Sequence, residues 1–124
     1  MPWYAAALAL IFLGLSVRVI RGRGLHRVDL GSGGVDDLER RIRAHGNFAE
    51  YVPLTLLLIL VDELRGLPPL AVHGLCLLLL LGRLSHAWGV SRREHHAAFR
   101  VGGMGATLTA LGLAALLVPL TAVS

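Results

Sequence analysis

Apolar residues in this chain gather into four long blocks rather than alternating with polar ones. They run from Trp3 to Val17 or Ile20, from Phe48 to Val61, from Leu70 to Trp88, and from Val101 to Val123, the last without a charge. A membrane-spanning helix needs about 20 residues, because the hydrocarbon core is about 30 Å thick and each helical residue rises about 1.5 Å. A soluble fold would interrupt a run such as Leu77-Leu78-Leu79-Leu80-Leu81. The blocks therefore predict four spans, at about 3–20, 43–63, 69–89 and 100–123, within one domain covering 1–124. The expected fold class is all-α, an integral membrane four-helix bundle.

Breaks between the blocks mark the helix ends. Gly31-Ser32-Gly33-Gly34 reads as a flexible stretch, and Asp36 followed three residues later by Glu39 reads as a capping signal at the start of helix two. Pro68-Pro69 marks the start of helix three. The second block is short. Phe48 to Val61 gives roughly 21 Å of helix, less than the hydrocarbon thickness. The span must then recruit Arg43, His45 and Asn47 from its polar end, with Glu50 already inside the block. Positions 43, 47 and 50 share one helical face. Arg83 and His86, three apart, repeat the pattern on helix three. Charged groups at such depth normally face a bundle interior or a wet cavity. One reading is that Arg43 and Glu50 pair, or snorkel, and only fix helix packing. The other is a pocket for an anionic or zwitterionic ligand, with Arg binding a carboxylate bidentately and Glu50 holding an ammonium group.

Composition and charge agree with a membrane protein. The 124 residues are 55% hydrophobic, with a mean hydropathy of +0.66. The net charge is +4, and all 12 basic residues are Arg. They flank the apolar blocks, and no nucleic-acid-binding motif accompanies them, so no nucleic-acid partner is expected. Seven lie between Arg18 and Arg43, and Arg92, Arg93 and Arg100 lie in or beside the third linker. The short second linker holds Asp62, Glu63 and Arg65. The positive-inside rule puts linkers one and three in the cytoplasm, with both termini and linker two outside. The first block is read as a span and not a signal peptide, because its arginines follow the apolar run and no cleavage site does. Cys76, alone, is expected to be packing. His95 and His96 lack a third ligand at usable spacing, so no metal site is expected. Trp3, Tyr4 and Trp88 read as interfacial anchors, and Pro53 as a bend in helix two. Gly102, Ala106, Ala110 and Ala114 form a spacing-of-four stripe that permits close helix approach.

The stretch Arg43-Ala44-His45-Gly46-Asn47-Phe48-Ala49-Glu50-Tyr51-Val52-Pro53-Leu54 resembles the helix-two signature R-A-x-x-N-x-x-E-Y-x-P-L of the MAPEG family, membrane-associated proteins in eicosanoid and glutathione metabolism. The R-A-H-G-N form resembles the small bacterial branch, and the topology and length agree along essentially the whole chain. The resemblance implies a left-handed four-helix bundle that assembles as a homotrimer in a bacterial inner membrane. It places glutathione between subunits near the cytoplasmic face. On matched positions it makes Arg43, Asn47, Glu50 and Tyr51 glutathione-binding, with His45 in place of a family glutamine. In the eicosanoid branch helix three carries two tyrosines that contact glutathione; here His86 and Val90 stand at those positions. His86 is thus a candidate contact, and Arg100 is the best match to the family's thiolate-stabilising arginine.

The function this implies is a glutathione-dependent membrane enzyme of transferase or peroxidase type. It would act on a lipophilic electrophile from the bilayer, with glutathione as co-substrate, no metal, and Arg100 activating the thiol. Loss of both tyrosines favours a second reading, a non-catalytic binding or scaffold protein that keeps the fold. A small channel or transporter is a third reading, against which stands the lack of an internal repeat.

Overall fold

The computed structural model describes residues 1–91 and 97–121, which form four helices and no strand. These are α1 (Pro2–His26), α2 (Asp36–Leu64), α3 (Pro69–Ser91) and α4 (Ala97–Leu120). All four are long and apolar enough to cross a membrane. Arg92, Arg93, His95 and His96 lie outside the described residues.

Each helix outruns or adjusts its apolar block. At 29 residues α2 extends about 43 Å, more than the bilayer core requires, and roughly three turns of it precede the apolar block that starts at Phe48. It begins at Asp36, but the cap differs from the expected box. Val35 is the N-cap residue, with no side-chain cap, and Glu39 sends its backbone N–H to the Val35 carbonyl instead. Asp36 is inside the helix, where its charge still favours the positive end of the dipole. Between α2 and α3, Gly66 takes a left-handed φ of 95°, which lets the chain reverse within a few residues.

The helices run up and down. Tyr4 at the start of α1 hydrogen-bonds His73 near the start of α3, at 3.1 Å. The Met1 amine lies 3.9 Å from Glu63 at the end of α2. Arg65 donates to Thr121 Oγ1 and to the Thr121 carbonyl, tying the ends of α2 and α4. At the opposite pole His26 meets Asp37 and Ser85 donates to the Phe99 carbonyl. Helix α2 touches all three others, whereas α1 leans mainly on α2. Only Leu8, Leu15 and Gly22 of α1 are buried, one residue every two turns. Its leucines at 10 and 13 and Ile20 face outward, where lipid tails solvate them as well as a core would.

The closest approach is between α3 and α4. A Cβ on Gly103 would collide with the Gly82 carbonyl and the His86 backbone, and one on Gly82 would meet Ala106. The stripe of small residues expected at 102, 106, 110 and 114 is therefore partly out of phase. Gly102 faces outward, and the buried line of α4 is Gly103, Thr107, Ala110 and Ala114. A strict spacing of four drifts around a helix of 3.6 residues per turn, and mixing threes with fours corrects it.

Candidate functional site

The motif on α2 divides between two directions. Arg43 and Glu50 are exposed, on the outside of the single bundle. Arg43 Nε donates to Glu39 at 3.2 Å, one turn earlier, and the Arg43 side chain is 73% exposed. It does not pair with Glu50. Its two terminal nitrogens have no acceptor among the described residues, so the flat fork that suits a carboxylate is available. Asn47 Oδ1 is buried with no donor to satisfy it. Such an atom costs free energy until something donates to it.

His45 turns the other way. Its Nε2 lies 3.0 Å from Ser16 Oγ, and its ring stacks on Phe12 with centroids 4.7 Å apart. Ser16 gives its own hydroxyl proton to the Phe12 carbonyl, so His45 Nε2 is the donor in this pair. Two residues along a helix is about 200° of rotation, which puts His45 on the α1 side when Arg43 and Asn47 are not.

A second polar group lies inside the bundle. Arg83 is fully buried. Its Nη1 donates to Thr107 Oγ1 at 3.3 Å, its Nη2 lies 3.2 Å from His86 Nδ1, and its Nε has no partner. The guanidinium carbon sits 5.8 Å from the Phe48 ring centroid, within cation–π range. The Tyr51 phenol is an electrostatic neighbour of Arg83, and Arg100 of His86. Thus Tyr51 of α2 and His86 of α3 are neighbours of Arg83, and Arg100 of α4 is a neighbour of His86. No carboxylate neutralises this arginine among the described residues.

The sequence grouped Arg83 with His86 as a polar pair on helix three but assigned it no ligand role, and Thr107 was not singled out. The signal for Arg83 was present: an arginine inside an apolar block, three residues from a histidine, with no acid within a helical turn. Thr107 carried none, since a threonine in a span commonly bonds its own helix, as Thr107 also does to the Gly103 carbonyl. Nearer the arginine-rich pole, Asp37 accepts from His26 at 2.8 Å and Arg41 at 3.1 Å. The hydrogen bond from His26 is the largest influence; it outweighs the opposing effect of burial and, helped by the Arg41 charge and hydrogen bond, holds the carboxyl below the usual range.

Four up-and-down apolar helices with buried polar groups between them define a polytopic α-helical membrane protein. The MAPEG family pattern matches residues 1–119, and the chain belongs to that family. It is similar to the inner membrane protein YecN of Escherichia coli K12, 41% identical over 110 residues that cover 87% of this chain and 81% of YecN. The same protein from E. coli O6:H1 strain CFT073 matches to the same extent. The chain is accordingly an integral, multi-pass membrane protein.

Proposed function

We propose that this protein is a glutathione-dependent membrane enzyme of transferase or peroxidase type, working as a homotrimer in the inner membrane with its arginine-rich pole in the cytoplasm. The observation that carries the reading is the open face of α2. Arg43 offers unpaired terminal nitrogens, Glu50 is exposed, and Asn47 Oδ1 lacks a donor, all along one face of one helix. Carboxylates and an ammonium group, which glutathione carries, match those three needs. A face bearing ionised groups is costly against lipid, so a neighbouring subunit over it also lowers the free energy. Arg100, exposed near the start of α4 and an electrostatic neighbour of His86, would supply the fixed positive charge that favours a thiolate over a thiol. The sulfur would then attack a lipophilic electrophile that reaches it through the bilayer.

Calorimetric titration of glutathione into the detergent-solubilised protein tests the reading. Saturable binding should be lost in both Arg43→Ala and Glu50→Ala, while their melting temperatures stay within a few degrees of wild type. No binding to a folded wild-type oligomer would refute it. Val90, which offers no polar group where the eicosanoid branch has a tyrosine, favours a second reading, a binding protein without turnover. Binding with no change in thiolate absorbance would select that one.

A further inference from the structure

We propose that Arg83 is a positioning residue that locks His86 into one tautomer, with its proton on Nε2. The side chain at the first tyrosine position then presents an N–H donor in place of a hydroxyl. The argument rests on which groups can accept. A guanidinium has five N–H donors and no acceptor. Its Nη2 lies 3.2 Å from His86 Nδ1, so Nδ1 must supply the lone pair and carries no hydrogen. A neutral imidazole with an accepting Nδ1 has its proton on Nε2.

The rest of the network points the same way. Thr107 gives its hydroxyl proton to the Gly103 carbonyl at 2.8 Å, which leaves its oxygen to accept from Arg83 Nη1. Both ends of the fork are thereby spoken for, and the guanidinium cannot rotate away from His86 without abandoning Thr107 as well. The backbone holds the pair in place. Gly103 packs directly on the backbone of Gly82 and His86, so α4 delivers Thr107 to Arg83 at a fixed height. His86 Nε2 has no hydrogen-bond partner among the described residues, although the side chain is only 5% exposed. A donor kept free in a nearly closed position suits the sulfur or an oxygen of a bound substrate. This last step, the use of the donor, rests on the glutathione reading above; the tautomer does not.

The two are separable by experiment. Two-bond 15N–1H correlation spectra of ring-15N-histidine protein in detergent at pH 8, with His86 assigned by its absence in His86→Gln, report the tautomer without any ligand. Wild type should show the Nε2–H form alone, Arg83→Lys should keep it, and Arg83→Met should admit the Nδ1–H form. An Nδ1–H signal in wild type overturns the proposal even if no variant folds, and a pure Nε2–H form in folded Arg83→Met also overturns it. On adding glutathione, the His86 Nε2 proton should move downfield. Saturable glutathione binding that leaves this proton unmoved overturns the donor's use, whereas absence of binding with the wild-type tautomer as expected overturns the glutathione reading alone.

Discussion

Arginines occupy two contrasting settings here. At the pole where α1 meets α2 they sit among acids and water. Arg41 and His26 share Asp37, Arg43 takes Glu39, and the side chains remain a fifth or more exposed. In the seam between α3 and α4, Arg83 has Thr107, His86, the Phe48 ring and the Tyr51 phenol as neighbours, no carboxylate among the described residues, and no water-facing surface. Ion pairs in solvent are worth about 0.2–1 kcal/mol and rearrange easily. A buried cation with neutral partners depends on every hydrogen bond it has, because each one lost leaves a charged donor unpaired in a medium that cannot replace it. The first setting tolerates change and the second does not.

The sharpest break in that contrast comes from glycine. Gly103→Ala pushes a methyl group into the backbone of the facing helix, where nothing flexible can yield, and should cost about 2–3 kcal/mol. Gly22→Ala at the α1–α2 contact meets the Arg41 side chain and Leu38 Cδ1, side-chain atoms rather than backbone, and should cost no more than about 1 kcal/mol, partly offset by the better helix propensity of alanine. Thermal denaturation of the two variants in one detergent checks both; equal losses would dissolve the distinction. A smaller effect follows from Thr107→Val, which keeps the volume but removes the acceptor for Arg83 Nη1. The expected loss is about 1–3 kcal/mol, seen as a lower midpoint in chemical denaturation. The smallest is Asp37→Asn. Because the folded carboxyl is held below its ordinary value, its contribution is present at neutral pH and fades as the pH falls through that lowered value. Wild type should exceed the variant by at most about 1 kcal/mol at pH 7, and the two curves should converge in acid.

Much of this architecture was legible from hydropathy. The four spans, the start of α2 at Asp36 and the start of α3 at Pro69 follow from block lengths and from Asp and Pro at the boundaries. The shared face of Arg43, Asn47 and Glu50 follows from helical spacing, and Arg43 and Glu50 do open outward. What periodicity could not supply was the neighbour each face meets. Spacing puts His45 off that face but does not say that Ser16 and Phe12 of α1 receive it. Nor does it choose between Gly102 and Gly103 as the contact on α4, since both belong to stripes of small residues and only the packing angle of α3 decides. Arg83 was visible as a charge in an apolar block, but its burial depends on residues of two other helices, Phe48 of α2 and Thr107 of α4.

The sparse seat of α1 has a mechanical consequence. Leu8, Leu15 and Gly22 lie seven residues apart, so the helix is held along a single narrow line, mostly by α2. The α3–α4 pair is interlocked along its glycine contact. Pulled from its N-terminus in a bilayer, the chain should peel α1 away in an early, low-force step and leave the other three helices standing. Pulled from its C-terminus, it must first unzip the seam around Arg83, so the two directions of extraction should show different rupture forces for the same protein.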